Sequence, residues 1–407
     1  MEGKSISRAK NKKTSHKSFW KTQSKCGWVL MALVLFLSLF GVLMVFSASF
    51  YYAKRHYNNE FFFLTKQIIG FVLGTAAMIL LSRLNYNRLK PFGLIALIFG
   101  YILLALVFVP GLGVENYGAR RWIRLPGFTI QSSEIAKFCF VIFASSYLSK
   151  HNGDIKSFKN ILPVVAGGVG MCLLIILEPN MSITMCVGIV MLVMLFVGGI
   201  SFKHMAMLAV PALALVPVLI IIEPYRLLRL LAFIDPWASP KGEGYQLIQS
   251  FFAVGGGGFL GTGLFSSRQK YLFLPFAESD FIFSVIAEEW GFLGSTIILL
   301  CYLAVIVCGI KIALNSKNRF GCYLASGITA IIGVQTMLNI AVVTGLIPPT
   351  GLPLPFISSG STSVACFMGA VGILLNIDRQ SQQNELSFRE FSLKFKKGNK
   401  RSINNIN

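Results

Sequence analysis

Residues 27–50 read GWVLMALVLFLSLFGVLMVFSASF, an apolar run without one charged side chain. A helix needs about 20 such residues to cross the hydrocarbon of a bilayer. The run exceeds the apolar core of a secretory signal, no small-residue cleavage site clearly ends it, and a basic tail precedes it. It is therefore read as a span and not a leader. Working outward, comparable runs cover 61–81, 92–110, 131–149, 161–177, 181–199, 205–222, 281–310, 320–347 and 362–377. The whole chain agrees, because 55% hydrophobic and 13% charged residues in 407 cannot be arranged as a soluble globule. The expected fold is all-α, a polytopic membrane protein of about ten transmembrane helices.

The formal charge of +21 raises the question of nucleic acid. The basic residues answer it by where they lie relative to the spans. Both tails are basic, and Arg83, Arg88, Lys90, Lys150, Lys156, Lys159, Lys203, Lys311, Lys317 and Arg319 all fall on one side in the alternating count. That is the positive-inside pattern, so both termini are expected in the cytoplasm of a bacterial cell, with 1–26 and 378–407 as basic tails and no nucleic-acid partner. The acids, among them Glu115, Glu134, Glu178, Glu223, Asp235, Glu278 and Asp280, fall at the opposite ends. The eight cysteines form no CxxC pair and the four histidines no HExxH, which argues against disulfides, thiolate metal sites and a zinc hydrolase.

The longest connection is 223–280, between the seventh and eighth spans. Its sequence IDPWASPKGEGYQLIQSFFAVGGGGFLGTGL predicts amphipathic or re-entrant pieces lying over the bundle like a lid. Gly256, Gly258 and Gly261 satisfy GxGxxG, but no βαβ unit surrounds them. Close backbone approach, a tight turn and amides offered to an anion are the roles left.

Three clusters carry chemistry. GARRWIRL at 118–125 sets Arg120, Arg121 and Arg124 around Trp122, where guanidinium forks suit phosphate oxygens and an indole suits a sugar face or the membrane interface. Just after it, Glu134 and Lys137 stand three apart at the start of the fourth span and can share one helix face as an ion pair. AESDFIFSVIAEEWGF at 277–292 puts Asp280 at the mouth of the eighth span, as helix cap, as acid–base group, or both. Glu288 and Glu289 lie about 12 to 14 Å deeper along the helix, too far to form a retaining carboxylate pair with it. TGLIPPTGLPLPFISSGSTS at 344–363 cannot be regular helix throughout and is expected to wall a wet cavity.

GARRWIRLPGFTIQSSEIAKF, SDFIFSVIAEEWGFLG and TGLPLPFISSGSTS, in this order and on this topology, resemble the signatures of the SEDS family, which includes FtsW, RodA and SpoVE. The similarity spans about 27–377, with echoes in GVLMVFSAS and in Lys66-Gln67. The resemblance implies a glycosyltransferase that polymerises lipid II outside the cytoplasmic membrane, working on undecaprenyl-pyrophosphate-linked glycan. It implies a class B penicillin-binding transpeptidase and other divisome or elongasome proteins as partners, a divalent cation, Mg²⁺ or Mn²⁺, and no organic cofactor. Asp280 aligns with the family's essential acid, and Trp122 and Arg121 with sensitive positions. Arg120, Arg124, Glu134, Lys137, Lys66, Ser358 and Ser359 complete the expected substrate-binding set.

Departures exist as well. EPNMS at 178–182 replaces the usual QPDLG, so Asn180 stands where a carboxylate is common. Ser359, Ser361, Phe276 and Glu278 also differ from the frequent residues. The alternatives are a lipid II flippase and a non-catalytic scaffold of the divisome. The basic amino-terminal tail points to the division-type branch.

Overall fold

The computed structural model describes residues 23–404 apart from 117–118, 126–127 and 152–157; the side chains of 116, 119, 125 and 128 and those from 384 onward are not described. Lys156 and most of the expected amino-terminal tail lie outside the described residues. The elements are α1 (Lys25–Tyr57), α2 (Phe62–Arg83), α3 (Gly93–Leu106), β1 (Gly113–Asn116), β2 (Ala119–Leu125), β3 (Phe128–Gln131), α4 (Ser132–Lys150), α5 (Phe158–Leu177) and α6 (Met181–Gly198). Then follow α7 (Phe202–Ile222), α8 (Pro224–Ile234), α9 (Tyr245–Gly256), α10 (Ile282–Leu314), α11 (Arg319–Val343) and α12 (Ser361–Asn404). A 3₁₀ turn, Tyr86–Phe92, leads into α3.

Among the described residues, nine helical segments are long and apolar enough to cross a membrane. The tenth expected span is α4, whose 19 residues carry Glu134 and Lys137. Helix ends follow local chemistry. Ser24 Oγ accepts from Gly27 N to cap α1, Asn180 Oδ1 accepts from Ile183 N to cap α6, and Gly199 closes α6 in the left-handed region. The expected segment 362–377 is only the start of α12, whose helical backbone runs on to Asn404 through what composition marked as tail.

The core sits where α1, α2, α4, α6, α10, α11 and α12 meet, with α12 packed most extensively on α2, α3 on α4, and α10 on α11 and α1. In contrast, α7 buries no residue and touches chiefly α6 and α8.

The all-α expectation holds for the bundle, with one addition outside the helices. The segment expected as a loop before α4 is a three-stranded antiparallel sheet, β1-β2-β3, with Trp122 opposite Val114 on one side and Gln131 on the other. Alternation along ARRWIRL explains it. Ile123 is buried and Arg121 turns the same way, toward the bundle, while the other face carries the exposed Arg120 and Arg124 and the half-buried Trp122.

The Gly-rich segment is re-entrant, as expected. After α9 the chain enters a break in α10 at Gly291 (φ 65°, ψ −163°), where Phe292 N donates to Gly258 O at 2.9 Å and Leu293 N to Phe259 O at 3.1 Å. The amides of Thr262 and Gly263 donate to the carbonyls of Glu288 and Glu289, so they are committed to the helix and not offered to an anion. A Cβ on Gly291 would overlap the backbone nitrogen of Gly261. Gly291→Ala is therefore expected to cost about 1 to 3 kcal/mol or more, seen as a lower thermal midpoint in detergent. Gly188→Ala, where a Cβ meets nothing within 4 Å, should not show it. An unchanged midpoint for Gly291→Ala would mean that the break does not need its glycine.

Candidate active site

Asp280 lies two residues before α10, half-buried, with Ser279 Oγ donating to its Oδ1 at 2.9 Å. Three elements hold the backbone around it. Asn339 of α11 donates to the Asp280 carbonyl at 2.8 Å and to the Leu352 carbonyl at 2.6 Å. Ser358 Oγ donates to Ser279 O at 2.7 Å and accepts from Leu354 N at 2.7 Å, and Ser359 N donates to Glu278 O at 2.8 Å. Gln67 of α2 donates to Ile357 O and Ser358 O at 3.2 Å each and accepts from Gly360 N. The segment 349–360 is thus the expected wall, and at Gly351 (φ 76°) a Cβ would stand 3.2 Å from Asp280 Oδ2. The left-handed backbone and the close carboxylate both favour glycine there.

Arg121 donates to the carbonyls of Glu178 and Pro179, and its charge acts on Asp280. Burial raises the Asp280 carboxyl above its ordinary value of 3.8, opposed by the Ser279 hydroxyl and then by Arg121 and Arg229. Burial likewise lowers Arg121, with Asp280 pulling the other way. Burial pushes Glu178 up to about 8 despite the Ser132 hydroxyl donating to it at 3.2 Å. Arg121 makes its hydrogen bonds to the backbone carbonyls of this segment and not to the Glu178 carboxyl.

Glu134 and Lys137, expected to touch substrate, are sealed instead at 0% and 1% side-chain exposure. Lys137 Nζ donates to Glu134 Oε1 at 2.8 Å and to Gln335 Oε1 at 2.6 Å, and it lies 4.6 Å from the Phe367 ring centroid. Ser363 Oγ takes the second Glu134 oxygen at 2.7 Å, and Gln335 Nε2 donates to Pro353 O at 2.8 Å. The ammonium is consumed inside the protein, so the expectation that Lys137 grips a pyrophosphate is replaced by a role in holding α4, α11, α12 and the wall together.

Of the other expected residues, Arg120 pairs with Glu115 at 3.0 Å on the exposed face of β2, next to Trp122 and Arg124. Lys66 is exposed on α2 with Nζ 4.0 Å from the Phe62 centroid. Ser358 is a buried brace. Asn180, at the position where a carboxylate is common, is the cap of α6.

Glu288 and Glu289 are buried. Glu288 accepts from Arg268 N at 2.8 Å and from the Ser267 hydroxyl, while Glu289 pairs with Lys270 at 2.9 Å and accepts from Ser47 Oγ at 2.6 Å. They clamp the chain that leads to Asp280.

Two residues had escaped notice. Arg229 of α8 acts on Asp280 electrostatically, as Arg121 does. The run PYRLLRLLAFI shows an amphipathic helix in sequence, but not which arginine turns inward. Lys270, without periodic context in sequence, proves to be a buried partner. Two cavities flank the area, one of about 340 Å³ beside α8 and one of about 240 Å³ lined by Tyr52, Lys270 and Glu278. Asp280 lines neither of them. In the second cavity burial pushes Glu278 up to about 7.

A divalent cation finds little here. No three His, Cys, Asp or Glu side chains among the described residues come together, and two guanidinium charges already face Asp280. This donor set does not fit a cation cage built by the protein alone.

Known proteins resemble this chain in sequence and fold. A family described as cell cycle protein, of the FtsW, RodA and SpoVE type, matches residues 27–383. Stage V sporulation protein E of Bacillus subtilis is 38% identical over 356 residues, covering 87% of this chain and 97% of its own. The probable peptidoglycan glycosyltransferase FtsW of Geobacter sulfurreducens is 38% identical over 350 residues, 86% of this chain and 94% of its own. A chain from a peptidoglycan synthase complex, solved for the coordination of polymerization and crosslinking, superposes with a TM-score of 0.72 at 28% identity, covering 87% of this chain and 98% of its own. The rod shape determining protein RodA of Thermus thermophilus gives 0.65 at 25% identity, covering 89% and 99%.

The burial of Lys137 leads to a direct test. Lys137→Met strands Glu134 and Gln335 and is expected to destabilise by about 3 to 5 kcal/mol, whereas adding Glu134→Gln should recover part of the loss. Thermal unfolding in detergent with a native-gel check reads both. If Lys137→Met unfolds like the wild-type protein, the node does not hold the wall.

Proposed function

The chain belongs to the FtsW, RodA and SpoVE family of cell cycle proteins, and we propose on that basis that it is a peptidoglycan glycosyltransferase which polymerises lipid II into glycan strands. The observation that carries the reading is Asp280, a half-buried carboxylate with a raised pKa at the end of the bundle, held by 349–360 and faced by Arg121 and Arg229. The relatives supply the reaction class: one is named a peptidoglycan glycosyltransferase and another comes from a complex that coordinates polymerization with crosslinking.

Asp280 acts as general base. It takes the proton from the 4-hydroxyl of the acceptor GlcNAc while that oxygen attacks the anomeric carbon of the growing chain. The bond from that carbon to the diphosphate oxygen breaks, and its electron pair leaves on undecaprenyl diphosphate. Attack opposite the α-linked leaving group gives a β-1,4 bond, so one base suffices and no second close carboxylate is needed. A solvent-exposed aspartate is a weak base at neutral pH. Burial strengthens this one, and the two guanidinium groups keep it ionised. Arg121, aimed by the alternation of β2, lends positive charge to the departing diphosphate. Trp122, on the other face of the strand beside Arg120 and Arg124, offers a ring to sugar or to the interface.

The positive-inside pattern supports both termini and the loops near 83–90 and 311–319 facing the cytoplasm, which puts Asp280 at the outer surface of the cytoplasmic membrane where lipid II is presented. A class B penicillin-binding transpeptidase is the partner in this reading, as polymerised strands need crosslinking.

Asp280 does not cap α10, and Asp280→Asn, which packs nearly as Asp does and keeps an oxygen to accept from Ser279, should fold and bind its partner yet polymerise about 10²- to 10⁴-fold more slowly. In the wild type, activity should fall as pH drops through the Asp280 pKa, at a pH above the 3.8 of an ordinary aspartate. Labelled lipid II and purified protein measure both, and near-normal strands from Asp280→Asn would remove the residue from the mechanism. For orientation, a cysteine at Lys317 is expected to resist impermeant maleimide in intact cells and react after permeabilisation. Labelling without permeabilisation would invert the topology.

A further inference from the structure

The two guanidinium groups that face Asp280 come from separate elements. Arg121 is on β2, anchored to the carbonyls of Glu178 and Pro179 just before α6. Arg229 is on α8, donating from Nη1 to Pro349 O at 3.2 Å, with its guanidinium 4.5 Å from the Tyr225 centroid and Nε 3.9 Å from Glu243 Oε2. Pro349 opens the turn whose Gly351 abuts Asp280, and Ser182, at the start of α6, donates to Thr350 O in the same turn. The turn 349–351 is thus tied to Arg229 from one side and to the Arg121 anchor segment from the other.

The charge count at this turn does not close. Arg121 and Arg229 each carry a positive charge, and both act on the single carboxylate of Asp280 and on each other. Glu178 also acts on Arg121, but its carboxyl is hydrogen-bonded to Ser132 and burial pushes it up to about 8. Glu278 lines the other cavity. Glu243 is the one remaining acid drawn into contact, and at 3.9 Å with side chains 26% and 39% exposed its bond to Arg229 is weak. Two fork-shaped donors with positive charge to spare call for a compact polyanion, which guanidinium groups bind through paired hydrogen bonds. Of α8 only Ala232 is buried, so the helix that carries Arg229 is lightly anchored.

We propose that Arg229 is a diphosphate-binding residue: from α8 it grips the lipid-linked diphosphate opposite Arg121, across the turn 349–351, and gives up Glu243 for phosphate oxygens as it does so. Glu243 is then a placeholder that keeps Arg229 aimed while no substrate is bound. This rests on the glycosyltransferase reading above, since that reading supplies a diphosphate leaving group.

The test uses the full chain with its transpeptidase partner in lipid nanodiscs, in four forms: wild type, Arg229→Gln, Arg229→Lys and Glu243→Gln. Glycan strands are measured against lipid II concentration, and binding of undecaprenyl diphosphate and of inorganic pyrophosphate is measured separately by titration calorimetry. Arg229→Gln is expected to weaken undecaprenyl diphosphate binding about tenfold or more, the loss typical of a charged hydrogen-bond partner, and to raise KM more than it lowers kcat. Arg229→Lys should recover part of that affinity, and Glu243→Gln, which frees Arg229, should tighten binding of both probes. The proposal is overturned if Arg229→Gln binds both probes like the wild type, or if it lowers kcat alone, which would make Arg229 a brace of the turn. Should Arg229→Gln fail to fold, Glu243→Gln decides, and unchanged affinity there also overturns it. A wild type that binds undecaprenyl diphosphate yet makes no strands would sink the glycosyltransferase reading and leave the binding assignment standing.

Discussion

An ammonium group in the middle of an apolar bundle must find its hydrogen-bond acceptors inside the protein, because neither lipid nor water reaches it. Lys137 finds them in Glu134 and Gln335. Each acceptor is then committed elsewhere: Glu134 to Ser363 at the start of α12, and Gln335 to the carbonyl of Pro353 in the wall. A partial arrangement would leave a buried charge short of partners, so the set forms together or at a cost of several kcal/mol. It fixes where the non-helical segment 349–360 can lie. Asn339, one turn along α11 from Gln335, extends the same logic to Leu352 and the backbone of Asp280.

The chemistry follows from that scaffold. Asp280 is pinned through its carbonyl and through Ser279, which leaves its carboxylate at the mouth with one oxygen close to Gly351. From below, Glu288 and Glu289 fasten 262–270 across the broken helix, so the chain arrives at Asp280 by a fixed route. The carboxylate is held by its supports and not by a strong ion pair. A base in this position keeps a free lone pair for a proton.

Much of the fold was legible in the sequence because membrane spans have a length and polarity that composition exposes directly. The Gly-rich re-entrant piece was legible too, since close approach needs residues without a Cβ. The sheet was not, although period-2 alternation of Arg121 and Ile123 was present, because three strands of four to seven residues carry little signal beside long helices. Asp280 stood out as an acid at a span mouth, and Gly351 as part of a segment that could not be helix. The roles of Lys137 and Arg229 were hidden for a common reason. Spacing shows that a charge can lie on one face of a helix, but whether the charge meets protein or ligand depends on Gln335 and Pro349, more than 100 residues away.

On the function proposed above, the scaffold, the carboxylate and the paired guanidinium groups serve to displace a diphosphate with inversion. The stereochemistry of the product tests this most directly. Strands made from labelled lipid II by the purified chain, together with the transpeptidase proposed as its partner, can be digested with a muramidase that cuts only β-1,4 links and read by NMR at the anomeric carbon. The account predicts strands that are fully cut and show only β linkages. Strands with retained α linkages, or lipid II that changes leaflet without being joined, would contradict it.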